Sequence, residues 1–331
     1  MSEILTYKGV ICSKLGYFKE ALLLHENALC LDRNNITAKW NLSLSYLLNK
    51  ELEKGFKLYE VRFLKNNSKI SNSAISVNEL YNKKILILGE QGFGDIIQFS
   101  RYIPLLKKFT QNLSFLPPKE LKEVFSFADI KIVSKFKMND YDFIIPLLSL
   151  PFLFKTNIKN IPSSNYLNFK KTKNSLDSKN RFKIGLAWSG RENYPYDFLR
   201  SIPLKLLKNI YELNHEKFQF YCLQKDIRGS DKFFFEKSNM IFLGDENFFD
   251  LANLILEMDL VISSDTSILH LSSTLQKKTF GLISFCPDWR WFLNDLNSPW
   301  YENLKLFRCK SDNNWLPVID NVVEELSREF I

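Results

Sequence analysis

KILILGEQGFGDIIQFSRYIP, residues 84–104, decides the fold of this chain. A short apolar run (Ile85, Leu86, Ile87, Leu88) meets a Gly-rich turn, and an amphipathic segment starts near Asp95. That order reads as strand, tight loop and helix N-terminus. Such a junction presents backbone N–H groups and the positive helix end to an anion or a polar ligand. Gly92 and Gly94 permit positive φ and close ligand approach, and Gln91 belongs to the same loop. Asp95 falls where a carboxylate faces the cleft at the carboxyl end of a strand. No GK followed by Ser or Thr is present, so this is not a Walker loop, and GFGD is too short for GxGxxG. An ordinary turn with Asp95 as N-cap reads the same residues.

Outward from this stretch, strand and helix signals alternate. Strands are expected at 84–88, 112–116, 130–134 and 142–145, with helices beginning near 95 and 118. A polar gap spans about 155–180. A second series then places strands at 182–187, 218–223, 240–243, 259–263, 279–283 and 304–308, and helices near 203–211, 248–257, 266–275 and 315–329. The alternation predicts two parallel α/β sheets enclosing a cleft between their carboxyl ends. Upstream, residues 3–64 read as four helices from apolar residues at helical spacing. LGYFKEALLLHENALCLDRNN (15–35) resembles half of a tetratricopeptide repeat, with Gly9, Gly16, Ala21 and Ala28 where paired helices approach closely. An offset of 34 residues carries Ala21 to Gly55, Leu22 to Phe56 and His25 to Tyr59. Two repeats are too few for a free-standing solenoid, so the helices are expected to pack on the rest of the chain; a plain helical hairpin is the other reading. The expected division is 1–65 helical repeats, 66–82 linker, 83–165 first Rossmann-like domain and 166–331 second Rossmann-like domain.

Composition narrows the function classes. The chain has 331 residues, of which 45% are hydrophobic and 25% charged, enough for two or three domains. Its +8 charge permits acidic partners, yet no arginine-rich stripe or nucleic-acid motif accompanies it, and no nucleic-acid partner is expected. KKTKNSLDSKNR (170–181) reads as a solvated linker. Five cysteines without CxxC spacing fit free thiols in a reducing compartment. No signal peptide is read at the N-terminus. FIIPLLSLPFLF (143–154) is too short for a membrane span and leaves membrane-surface association open.

Three segments of the second half carry candidate chemistry. GLAWSGRENYPYDFLRSIPL (185–204) places Ser189, Gly190, Arg200 and Ser201 on or after a loop that follows a buried strand. An arginine fork and a hydroxyl before a helix suit a diphosphate, while an N-cap at Ser201 and a surface ion pair at Arg200 are the plainer reading. DLVISSDTSILHLSSTLQKKTFGLI (259–283) runs a strand into Asp265, Thr266 and Ser267, with His270 one turn on. Free N–H groups and hydroxyls there suit phosphate oxygens, and Asp265 suits sugar hydroxyls. PDWRWFLNDLNSPWYENLKLF (287–307) concentrates Trp289, Trp291 and Trp300, expected as core packing rather than sugar stacking.

In order and spacing these segments resemble bacterial GT-B glycosyltransferases of family 9, the heptosyltransferase-like class, closest to versions with N-terminal tetratricopeptide repeats. GEQGFGDIIQFSRYIPLL (89–106) looks like the family's GD motif, DLVISSDTSILHLSSTL like its DT-x-x-x-H motif, and EKGFKLYEVRF (53–63) like the helix joining repeats to transferase. The resemblance implies transfer of a sugar from a nucleotide-sugar donor to a glycan or protein acceptor, inverting and without a metal or other cofactor. It implies Asp95 as general base, Arg200 at the leaving diphosphate, and Asp265, Thr266, Ser267 and His270 at the donor. It also implies a cytoplasmic enzyme, with placement at the inner membrane face left open. The chain departs from the pattern at Gln276 (usually Gly), Thr279 (usually Pro) and Phe198 (often basic). The competing readings are a non-catalytic binding protein that uses the helical layer, and a sugar-nucleotide epimerase on the same architecture.

Overall fold

The computed structural model describes residues 1–65, 76–126, 128–172, 176, 181–244, 247–311 and 314–330. Its two sheets follow the alternation of apolar runs. The first contains β1 (Ile85–Leu88), β2 (Leu113–Leu116), β3 (Lys131–Ile132) and β4 (Phe143–Pro146) in the order β3-β2-β1-β4, all parallel. The second contains β5 (Phe182–Ala187), β6 (Phe218–Cys222), β7 (Ile241–Phe242), β8 (Leu260–Ser264), β9 (Thr279–Ile283), β10 (Asn297–Ser298) and β11 (Tyr301–Arg308). Its order is β10-β11-β9-β8-β5-β6-β7, and only β10 runs antiparallel to its neighbour. Central strands such as ILIL in β1 and LVISS in β8 are buried on both faces, which is why they read as apolar runs without alternation. β1 lies between β2 and β4, and β5 between β6 and β8, so each opens a topological switch point at its carboxyl end.

Helices α1 (Ser2–Lys14), α2 (Phe18–Leu31), α3 (Ile36–Leu48) and α4 (Leu52–Tyr59) pack in chain order, followed by the single turn α5 (Arg62–Lys65). Asn35 caps α3 by accepting from the Ala38 N–H at 2.9 Å. Small residues set the helix approach: a Cβ on Gly9 would lie 2.5 Å from His25 Nε2, and one on Gly55 would lie 2.6 Å from Leu47 Cδ2. This helical layer touches both lobes. Arg62 forms a fork to Glu90, with Nη2 2.8 Å from Oε1 and Nε 3.0 Å from Oε2, and a further 2.8 Å bond to Ser149 Oγ. Lys50 reaches Asp295 of the second lobe at 2.6 Å. Trp289 packs between them, its ring 5.7 Å from Phe56, 6.3 Å from Tyr59 and 6.0 Å from Phe99. Trp289, Trp291 and Trp300 are all buried, in keeping with core packing.

The lobes meet through α6 (Phe93–Phe99), which packs on the Ser267–Thr274 helix, and through the Phe248–Glu257 helix, which packs on the Lys122–Phe125 turn. Several expectations are corrected. FIIPLLSLPFLF forms β4, a 3-10 turn and the Leu150–Leu153 helix, and most of it is interior. The helix expected at 203–211 is a 3-10 turn, Leu204–Leu207, leading into the one-turn helix Lys208–Tyr211. An additional helix, Gly229–Glu236, follows β6. Residues 66–75 of the expected linker, and most of 173–180, lie outside the described residues. The described start of the polar gap is packed rather than loose: Tyr166 OH donates to Ile97 O, and the Thr172 N–H donates to Asn253 Oδ1 at 2.8 Å. No helix among the described residues is long and apolar enough to cross a membrane.

Candidate active site

On the first lobe the site is built by the loop between β1 and α6. Neither Gly92 nor Gly94 takes positive φ; the left-handed residue is Gln91, at φ 63°. Its side-chain Oε1 accepts from Tyr59 OH at 3.0 Å, so the helical layer holds the strained turn in place. Gly94 is needed for close approach instead: a Cβ there would lie 2.6 Å from His270 Cδ2 on the other lobe. The N-cap of α6 is Gly92, and Asp95 stands at the third helical position, where Oδ2 accepts from the Gly92 N–H at 2.8 Å. Asp95 Oδ1 accepts from Arg290 Nη2. Burial pushes the Asp95 carboxyl above the ordinary aspartate value, against the pull of Arg290 and the Gly92 N–H.

On the second lobe three strand ends converge. After β5, the Ser189 N–H donates to Gln224 Oε1 at 3.1 Å, and the Gly190 N–H donates to Ser201 Oγ at 3.0 Å. Gly190 leaves room for Arg200, whose Nη2 would lie 2.5 Å from a Cβ at that position. Arg200 sits in the one-turn helix Asp197–Arg200, and Ser201 ends that turn rather than capping a helix start. Arg200 Nε pairs with Asp197 Oδ1 at 3.1 Å, and Nη1 donates to the Asp265 carbonyl at 2.9 Å, which ties the β5 loop to the β8 loop. Ser201 Oγ is turned inward to Asp197 Oδ2 at 2.7 Å and does not line the cleft. Phe198 is 65% exposed and also stays off the cleft wall.

After β8, Thr266 holds the N-cap position of the Ser267–Thr274 helix without a side-chain capping bond, its Oγ1 lying 3.1 Å from Ser263 Oγ instead. The Asp265 carboxyl is pushed up to about 6, first by burial and then by nearby Asp288, with Arg200 opposing. His270 is 4% exposed; its Nδ1 is 2.9 Å from Tyr301 OH, and its ring stacks on Trp291 at 5.1 Å. Burial and the surrounding arginines hold its pKa well below the ordinary imidazole value, so it borders the cleft as a neutral ring and not as a cationic phosphate ligand. The turn that departs from the family pattern keeps a left-handed residue: Gln276 adopts φ 60°, and its Nε2 donates to Ser164 Oγ at 3.0 Å. Thr279 opens β9, fully buried.

These loops face one cleft of about 1530 Å³, bordered by Gln91, Gly92, Gly94, Asp95, Ser189, Gly190, Arg200, Asp265, Thr266, Ser267 and His270. The helical layer supplies a further wall, with Tyr7 and Lys14 of α1 and Trp40, Asn41 and Leu44 of α3. Two cleft arginines escape a reading of sequence alone. Arg228, in the loop after β6, donates to Asp197 Oδ2 and to Gly190 O at 3.1 Å. Arg290, in the Trp-rich segment, bridges Asp95 and Asp288 Oδ1, the latter at 2.7 Å. The usable signal was their charge within otherwise apolar or strand-terminal stretches, since a buried cation requires a partner.

No family model and no curated protein sequence matches the chain. Solved structures do. The glycosyl transferase family 9 protein from Veillonella parvula is 12% identical with a TM-score of 0.51, covering 76% of this chain and 97% of that one. The E. coli ADP-heptose LPS heptosyltransferase II is 14% identical (TM-score 0.48; 74% and 98% covered). E. coli heptosyltransferase WaaC with ADP is 12% identical (TM-score 0.49; 75% and 99% covered). At such identities the likeness is one of fold: the two-lobed α/β architecture of this chain is shared with the Veillonella family 9 structure.

Proposed function

We propose that this chain is a nucleotide-sugar-dependent glycosyltransferase that works by inversion and without a metal. One observation carries the reading: Asp95 on the first lobe and the Arg200–Asp265–Thr266 group on the second face the same cleft. The donor diphosphate lies against the Ser267–Thr274 helix start, where Thr266, Ser267 and free N–H groups meet Arg200. The acceptor approaches from the first lobe and the helical wall, as a glycan or as a protein laid along α1 and α3. Asp95 takes the proton of the acceptor hydroxyl while its oxygen bonds to the anomeric carbon. On the opposite face the bond from that carbon to the diphosphate oxygen breaks, and nucleoside diphosphate leaves. Arg200 and the helix N–H groups stabilise the charge that develops on the leaving group, the part a metal plays in other transferases. The tandem helices serve as a degenerate repeat of the tetratricopeptide kind.

The test begins with thermal stabilisation by a panel of nucleotides and nucleotide sugars, since a ligand of the native state raises stability by mass action. One nucleotide family is expected to stabilise, and Arg200→Ala to abolish the shift. With that donor, Asp95→Asn is expected to keep the stabilisation while nucleoside diphosphate release falls about 10²–10⁴-fold. Unchanged release in Asp95→Asn would remove Asp95 from the chemistry. No shift with any nucleotide would move the weight to a binding protein that uses its helical layer.

A further inference from the structure

Arg290 stands where the three layers of the molecule meet. It is 6% exposed, with its guanidinium 4.2 Å from the Trp289 ring centroid and 5.7 Å from that of Phe99. One arm of the guanidinium, Nη2, holds Asp95 of the first lobe; the other, Nη1, holds Asp288 of the second at 2.7 Å. Its backbone is anchored to the second lobe alone: the N–H donates to Asp288 Oδ1 at 3.1 Å, and the carbonyl accepts from Trp300 Nε1 at 2.9 Å. Two residues on, Phe292 takes φ 52°, a left-handed setting costly for a bulky side chain. Its carbonyl accepts from Arg308 Nη1 at 3.0 Å, and its ring stacks on Trp300 at 6.5 Å. The arginine is thus mounted on a rigid turn of one lobe and reaches the carboxylate of the other.

We propose that Arg290 is the positioning residue of Asp95 and couples base placement to closure of the lobes. When the lobes part, the anchored guanidinium stays with Asp288, and Asp95 loses its counter-charge. When they close, Asp95 is set in one rotamer and kept ionised in a dry site. The proposal rests on Asp95 being the base, and it assigns the Trp-rich segment a task beyond core packing.

The groups that face Asp95 fix the signs. From the second lobe come Arg290, which favours the carboxylate, Asp288, which disfavours it, and His270, which is neutral. From its own loop come the Gly92 N–H, favouring ionisation, and Glu90, opposing it; from the helical layer comes Tyr59 OH, bonded to Gln91. Removing Arg290 and removing Asp288 must therefore move Asp95 in opposite directions, which general loosening of the fold does not do.

The experiment is carboxyl-carbon NMR of protein labelled at the aspartate side chains, with the Asp95 resonance assigned from Asp95→Asn. Arg290→Gln is expected to raise the Asp95 midpoint by about one to three pH units. Arg290→Lys is expected to hold most of the native value, and Asp288→Asn to lower it. An unmoved midpoint in a natively folded Arg290→Gln protein overturns the proposal, as does a shift in Arg290→Lys as large as in Arg290→Gln. Should Arg290→Gln not fold, Asp288→Asn decides: a fall supports the coupling, and no change or a rise overturns it. Nucleoside diphosphate release, followed against pH with the stabilising donor, separates the two readings. Its acid limb is expected to track the NMR midpoint. A moving midpoint with a fixed limb leaves Arg290 in its place beside Asp95 and removes Asp95 as the base.

Discussion

Replacing Gly94 by Ala sets two effects of opposite sign against each other, and the structure says which prevails. Gly94 lies in the first turn of α6, and Ala in a helix is favoured over Gly by about 1 kcal/mol. At an open position the substitution would therefore stabilise. Here the new methyl would sit 2.6 Å from His270 Cδ2 and 3.3 Å from Nε2. The imidazole cannot yield, because it is stacked on Trp291 and bonded to Tyr301 OH. Overpacking of a closed site costs about 1–3 kcal/mol, and so short a contact with a fixed ring belongs in the upper half of that range. The expected net effect is a loss of about 1–2 kcal/mol, read from the midpoint of urea unfolding at constant slope. In a His270→Ala background the clash is absent, and Gly94→Ala should be neutral or stabilising by up to about 1 kcal/mol. A stabilising Gly94→Ala in the native background, or an equal cost in both, would refute the packing of α6 on the Ser267–Thr274 helix at this point.

Other expectations follow from buried charge. Asp265 has a folded pKa of about 6, above its ordinary value, so its contribution to stability falls as pH rises from about 4 to 6. Asp265→Asn should be about 3 kcal/mol more stable than the native protein at pH 7 and equal to it below about pH 4, by thermal denaturation across pH. His25 moves the other way: burial lowers its pKa to about 4, so the unfolded chain binds the proton more tightly, and about 3 kcal/mol is lost as pH falls from 6.5 to 4. His25→Gln should flatten that acid slope; an unchanged slope would place its source elsewhere. Arg62→Ala strands Glu60 and Glu90 in a buried site and is expected to cost about 3–5 kcal/mol in urea unfolding, with Arg62→Lys costing less. A cost below 1 kcal/mol would show that the helical layer does not depend on this network.

Strands buried on both faces were the most legible part of the chain, because nothing but an unbroken apolar run satisfies them: β1, β5, β8 and β9 lie within a residue of their expected bounds. Short elements held by tertiary contacts were not legible. β10 has two residues and exists through its pairing with β11. The Gly229–Glu236 helix lies in a stretch with no expected element, and its Asp231 accepts from Trp188 Nε1 at 2.9 Å and from the Leu204 N–H at 3.0 Å. The same divide runs through the site. Asp95, Arg200 and Asp265 follow strand ends and were readable from that position. Arg290 was not, because its partner Asp95 stands 195 residues away, and periodicity carries no record of such a pair. Ser201 is expected at the donor phosphates from its place before a helix; in the fold its hydroxyl donates to the buried Asp197 carboxylate, a pairing that the order of residues does not reveal.

The helical layer that walls the cleft also sets an order of events during synthesis. Lys50 and its partner Asp295 are separated by 245 residues, and Phe56 finds Trp289 across a similar span. At about 5–20 residues per second, the finished helices wait roughly 10–50 s for the segment that covers them. During that interval Phe56 and Tyr59 lack the Trp289 ring, so the nascent chain exposes aromatic surface that the finished fold covers. Completion of the Trp-rich segment is thus the moment at which the helical layer is sealed. Chains truncated before residue 289 should therefore be captured by general chaperones far more strongly than chains that extend past β11.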